Sequence, residues 1–169
     1  MVNPIPEQID PFELARHGKS VTGEFMVADM DRLVASLDDS TGSVTFNLDF
    51  RKKEDGMVAT GKIRTEVKMI CQRCLNQIPV LVQGEVYLEF VVGAETEGHL
   101  ESEGYETVSV INGSLVLQDL VEDEVLLALP FSPMHNVGEC PADTIVEKLQ
   151  EQGRPNPFAV LSSLKNKQE

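Results

Sequence analysis

Three successive runs of alternating side chains, joined by short polar breaks, constrain this chain more than any other feature. In SVTFNLDF (43–50), Val44, Phe46, Leu48 and Phe50 fall on one side, the period-2 pattern of a half-buried strand. From Gly61 the next run divides by parity. Ile63, Thr65, Val67, Met69 and Cys71 face one way, whereas Lys62, Arg64, Glu66 and Lys68 face the other. A third run, Ile78 to Val92, follows and is expected to bend at Gly84. The breaks, RKKEDG (51–56) and a turn around Cys71-Gln72-Arg73-Cys74, are too short for a parallel crossover. An antiparallel meander with one buried face follows.

The flanking segments read as short helices and loops. Residues 1–26 read as extended or irregular, with a helix at Pro11 to His17 that has Pro at its first position. Met30, Leu33, Val34 and Leu37 place one amphipathic face on a helix over 28–37. The stretch 93–106, acidic and Gly-rich without periodicity, is expected to be a mobile loop. A strand at 107–111, an Asn112-Gly113 turn and a partner strand at 114–117 come next. A helix is expected over 119–129, stopped by Pro130, and another over 142–151. The tail, 153–169, should carry a short helix opened by Asn156 and Pro157, its Phe158 and Leu161 either packing on the core or docking a partner. The expected class is α+β: one domain over 1–169, with a central antiparallel sheet, open or closed like a barrel, and short helices beside it.

Charge is distributed unevenly. Residues 75–147 contain fourteen acidic residues and neither lysine nor arginine, whereas the chain as a whole carries a net −14. Such a single-sign field repels phosphate backbones, so broad non-specific nucleic-acid binding is not expected; a basic protein partner fits, as does an acidity that simply keeps the chain in solution. The basic side chains cluster on the second strand and its turn. Lys62, Arg64, Lys68 and Arg73 could track a few phosphates of an RNA, or simply form a solvated face balancing the acids. The consecutive acids Glu122, Asp123 and Glu124 point three ways on a helix and suit a capping or solvated role rather than one ion. No apolar run approaches the ~20 residues that span a bilayer. No secretion signal precedes the three cysteines, which favours a reducing, cytoplasmic setting.

All three cysteines fall into one constellation: C-x2-C at the hairpin turn, then His135 and Cys140 sixty residues on. Zn²⁺ takes four N or S donors in a tetrahedron, so Cys71, Cys74, His135 and Cys140 would form a structural zinc site that staples a loop to a hairpin. Three other readings stand beside it. A redox pair needs a helix N-terminus to depress one thiol. A Cys–His nucleophile needs an orienting third group. Small apolar thiols could merely pack the sheet end. The sequence contains no phosphate-binding loop, dinucleotide fingerprint or hydrolase motif, and nothing argues for an enzyme.

Taken in order, C-Q-R-C-L (71–75), V-E-D-E-V-L-L-A-L-P-x-x-P-x-H (121–135), Cys140 and P-N-P-F-A-V-L-x-x-L-K (155–165) resemble the large ribosomal RNA subunit accumulation protein family, the YceD-like proteins. The resemblance implies a non-enzymatic part in making or preserving the 23S rRNA of the large ribosomal subunit. An acidic protein in that setting is expected to hold a basic ribosomal protein or assembly factor, with a limited rRNA contact through Lys62, Arg64 and Lys68. Regulation of an RNA-processing nuclease is the alternative.

Overall fold

The expected alternation becomes a five-stranded open sheet covered on one side. A computed structural model describes residues 5–54, 56–93, 104–143 and Phe158. Its elements are β1 (Gln8–Ile9), α1 (Pro11–Arg16), β2 (Ser20–Met26), a single 3-10 turn (Val27–Asp29), α2 (Asp31–Val34), β3 (Ser43–Lys52), β4 (Met57–Ile70), β5 (Gln77–Val92), β6 (Glu106–Val110), β7 (Leu115–Val116) and α3 (Leu117–Ala128). The sheet order is β2-β3-β4-β5-β6, and β1 pairs separately with β7. β2 to β5 form the antiparallel meander. Among the described residues β2 and β6 do not meet, so the sheet is not a closed barrel.

β6 departs from the meander by lying parallel to β5, with Leu88 opposite Glu106 and Val92 opposite Val110. Residues 93–105 make that link, and a connection of a dozen or more residues permits a parallel return. The turn expected at Asn112-Gly113 forms, with φ of 58° and 78°. It does not close a hairpin, because Leu115 and Val116 pair with β1 instead and Leu117 N–H donates to the Glu7 carbonyl at 3.1 Å. Residues 20–26, read from the sequence only as extended or irregular, form edge strand β2. The helix expected over 28–37 is cut to a 3-10 turn and four residues of α2. Most of the 93–106 loop, the 142–151 helix and the tail helix fall outside the described residues.

The covered face holds the core. Val44, Phe46, Leu48 and Phe50 of β3 lie beside Ile63 and Val67 of β4 and Val82, Val86 and Leu88 of β5, all buried. Phe50 stacks on Phe90 with ring centroids 5.9 Å apart. α3 closes this face with Leu117, Leu120, Val121 and Val125, an i, i+3, i+4, i+8 stripe. Its end comes close to β5 at Gly84, where an added Cβ would meet Ala128 Cβ at 3.5 Å. α1 packs over β3 and β4. It is capped by Asp10, whose carboxylate accepts from Phe12 and Glu13 N–H at 2.8 and 3.0 Å, and Pro11 occupies its first position as expected. The opposite face of the meander, with Thr45, Lys62, Arg64 and Tyr87, is open to solvent.

Of the three consecutive acids, Glu122 is buried rather than solvated. Met30, at the N-cap of α2, has no side chain able to cap it. Glu122 reaches across from α3, accepting from Leu33 N–H at 2.9 Å and from Arg32 Nε at 2.9 Å. Glu122→Ala would orphan the buried Leu33 N–H and one side of Arg32, at about 2–3 kcal/mol. Urea unfolding should therefore show a clearly lowered midpoint with an unchanged slope; an unaltered midpoint would show that α2 needs no cap from α3.

Candidate metal centre and the exposed sheet face

β4 and β5 form a long hairpin with a constant register from Met57 opposite Phe90 to Ile70 opposite Gln77. Its turn, residues 71–76, carries the two cysteines. Cys71 N–H donates to the Asn76 carbonyl and Leu75 N–H to the Cys71 carbonyl, both at 2.9 Å. Leu75 closes the turn with φ of 61°, an uncommon conformation for a branched residue. The tightness puts Cys71 and Cys74 on one side of the tip.

The second pair arrives from the segment after α3. Pro130 ends that helix, and the Pro133 carbonyl accepts from Gln72 N–H at 2.8 Å, setting the chain against the hairpin tip. His135 follows directly. A reverse turn over 136–139 includes Gly138 at φ 86° and the Glu139 N–H to Asn136 carbonyl bond of 3.1 Å, and it brings back Cys140. Asp143 secures the end: its carboxylate pairs with Arg73 and accepts from Gly138 N–H at 3.0 Å.

The two halves converge. The donor atoms of Cys71, Cys74, His135 and Cys140 all lie within 4.8 Å of one another, so the four could hold a metal ion. Cys74 Sγ is 3.4 Å from His135 Nδ1. Cys71 and Cys140 are buried, whereas Cys74 and His135 are half-buried. The thiols are electrostatically unequal. Burial pushes Cys71 up, but backbone N–H groups of Cys74, His135 and Arg73 outweigh it and hold Cys71 down at about 5. Burial first, and then the adjoining Cys71 and Cys140, push Cys74 above its ordinary value. Three sulfurs so close cannot all be thiolates without a cation among them, which is the condition a metal relieves.

The competing readings fare differently. No cysteine is disulfide-bonded, and the C-x2-C lies on a hairpin turn rather than at a helix N-terminus. Thiol packing is real: Cys71, Cys140 and Ile78 form a small apolar cluster separate from the main core. Packing alone, however, does not require an imidazole nitrogen to be aimed at Cys74 Sγ.

The cationic residues divide between two places. Lys62, Arg64 and Lys68 share the open face of β4. Lys62 and Arg64 line a shallow depression of about 840 Å³ with Thr22, Thr45 and Asn47. Lys68 pairs with Asp39 at 2.6 Å, which holds that carboxyl at about 2, chiefly through the lysine hydrogen bond. Arg73 stands apart at the hairpin tip, paired with Asp143. The sequence did not single out Asp143, whose partner is 70 residues away and had no local signal.

The sequence pattern of the large ribosomal RNA subunit accumulation protein YceD matches residues 59–165. The large ribosomal RNA subunit accumulation protein YceD of Haemophilus influenzae is 31% identical over 173 aligned positions, covering 96% of this chain and 97% of that protein. No solved structure matches. Both halves of the candidate metal centre lie inside the matched region, and together these findings show that the chain belongs to the large ribosomal RNA subunit accumulation protein YceD family.

Proposed function

We propose that this protein acts without catalysis, in the cytoplasm, to support accumulation of the 23S rRNA of the large ribosomal subunit, and that Cys71, Cys74, His135 and Cys140 hold a structural zinc ion. The observation carrying the zinc reading is the convergence of four N and S donors from two segments sixty residues apart. Three sulfurs and one imidazole select a soft divalent ion, and with Zn–S bonds of about 2.3 Å the sulfurs of a tetrahedron stand ~3.8 Å apart, inside the 4.8 Å limit that encloses the four donor atoms. Four protein donors leave no open position for substrate, so the ion would serve the fold. Bound there, zinc supplies neutralisation of the thiolates and a cross-link from the hairpin tip to the 130–143 segment.

The role in rRNA accumulation rests on the family and on the charge. The relative's name supplies the setting of large ribosomal RNA subunit accumulation, and 23S is the RNA this reading takes that to mean. A stretch of 75–147 with fourteen acids and no cation would face a basic ribosomal protein or assembly factor. Lys62 and Arg64, exposed on the sheet face, would make a limited rRNA contact, with Lys68 farther along the same strand; Arg73, at the hairpin tip, would be a separate contact.

Four measurements test this. Protein purified without a histidine tag should contain about one zinc per chain; less than a tenth of an equivalent would end the zinc reading. In cells, the protein should sediment with pre-50S particles, and its loss should lower 23S relative to 16S rRNA. A protein that stays at the top of the gradient while 23S processing is altered would favour regulation of a nuclease instead. The double substitution Lys62→Glu with Arg64→Glu should reduce RNA cross-linking several-fold while leaving the fold intact. Unchanged cross-linking would exclude the sheet face.

A further inference from the structure

The two halves of the metal centre are joined by contacts outside the four donors, and Arg73 takes part on both sides. Its backbone N–H points at Cys71 Sγ at 3.5 Å, within the hairpin tip. Its guanidinium pairs with Asp143, 70 residues on. Asp143 in turn divides its two carboxylate oxygens. Oδ1 takes the Arg73 guanidinium, and Oδ2 accepts from Gly138 N–H at 3.0 Å. Its own N–H donates to the Cys140 carbonyl at 2.9 Å, and the Cys140 N–H faces the same carboxylate more weakly.

These contacts enclose Cys140. Asp143 fastens the chain on both sides of that cysteine, at Gly138 through its side chain and at the Cys140 carbonyl through its backbone. The carboxylate is tied to the hairpin through Arg73. Shared between a backbone N–H and a guanidinium, it fixes direction as well as charge. The arrangement therefore sets where the Cys140 thiol stands relative to Cys71 and Cys74. Placement matters because apparent affinity for an ion scales with the fraction of metal-free chains in which all four donors already converge. A tie that contributes little to folding can thus still govern metal binding. Arg73 also acts through its charge. Three thiolates and an imidazole around Zn²⁺ leave one negative charge uncompensated, and the guanidinium lies within electrostatic reach of Cys71 and Cys140.

We propose that Asp143, anchored to the hairpin tip by Arg73, is a positioning residue of the metal centre: it holds the 138–143 segment so that Cys140 faces Cys71 and Cys74 before the ion arrives. Neither Asp143 nor Arg73 touches the ion. The inference rests on the zinc reading and deepens it, adding an outer pair to the four donors.

The test is a cobalt(II) titration of the full metal-free chain, followed by displacement with zinc(II) against a competing chelator. Asp143→Ala should weaken binding of both metals about 10–100-fold, the range for loss of an outer partner of a metal ligand. At saturation its visible cobalt spectrum should match the parent's, because the donor set is unchanged. Asp143→Asn keeps an oxygen for Gly138 N–H but loses the ion pair, so its affinity should fall between the two; its near-identical shape serves if Asp143→Ala folds poorly. Arg73→Met should also bind more weakly, and the double substitution should lose less than the product of the single losses, as coupled residues do. Lys68→Met, which breaks the Lys68–Asp39 pair on the same hairpin, should leave metal affinity unchanged. An equal loss in Lys68→Met, or an altered cobalt spectrum in the Asp143 variants, would overturn the proposal. Parent-like affinity in both Asp143 variants would refute the positioning role alone and leave the zinc site standing. A parent chain that binds neither metal would overturn the zinc reading and the positioning role together.

Discussion

Cys71→Ser should abolish zinc binding and lower the thermal midpoint by about 6–12 °C, equivalent to roughly 3 kcal/mol for a chain of this size. Cys71 is the buried thiol toward which three backbone N–H groups point, so its loss removes the best anion of the set. The damage should be local. Cys71, Ile78 and Cys140 form a cluster separate from the sheet core, which has its own continuous packing. Without the ion, the 130–143 segment keeps the Gln72–Pro133 hydrogen bond of 2.8 Å and the Arg73–Asp143 ion pair, and such exposed contacts stabilise little. A chelator should therefore release amide protection at residues 71–76 and 134–140 while the far-ultraviolet circular dichroism changes little. Global unfolding by the chelator would show that the ion supports the whole sheet. An unchanged midpoint in Cys71→Ser would reduce the four residues to apolar packing.

Gly61→Ala should be more damaging than most core truncations. Gly61 stands in β4 opposite Leu48, in the middle of the meander. A Cβ there would run into the Asn47 carbonyl, a backbone atom of the neighbouring strand that cannot move without opening the β3–β4 ladder. Overpacking against backbone costs about 3 kcal/mol or more, and the variant is expected to be insoluble or to melt at least ~6 °C lower. Gly84→Ala supplies the control. Its Cβ would come 3.0 Å from Ile63 Cγ1, the movable part of a side chain, so a milder loss of about 1 kcal/mol is expected. A Gly61→Ala protein as stable as Gly84→Ala would mean that the two strands separate more easily than their register suggests.

Much of the fold could be read from local pattern. Val44, Phe46, Leu48 and Phe50 lie on the buried face because strand side chains alternate by twos, and α3 ends at Ala128, with Leu129 extended at its C-cap, because Pro130 cannot continue a helix. Reading failed where the partner decided the outcome. Ser20, Thr22, Gly23 and Glu24 give β2 a mostly polar, unremarkable sequence, and only pairing with β3 makes it a strand. Asn112-Gly113 has hairpin chemistry, but β1 captures the strand that follows. Glu122 looks like any helix-surface acid, yet α3 turns it toward α2, where Leu33 N–H lacked a partner.

By itself the sequence determined the meander, its buried face, the family and which residues could ligate a metal, because each depends on spacing or residue chemistry. Tertiary structure alone decided that His135 and Cys140 meet Cys71 and Cys74, that Arg73 is spent on Asp143, and that, among the described residues, β6 pairs with only the Leu88–Val92 end of β5. Those facts depend on how segments eighteen to seventy residues apart are brought together. The sheet register and the course of the chain after α3 set that meeting, and no local period encodes it.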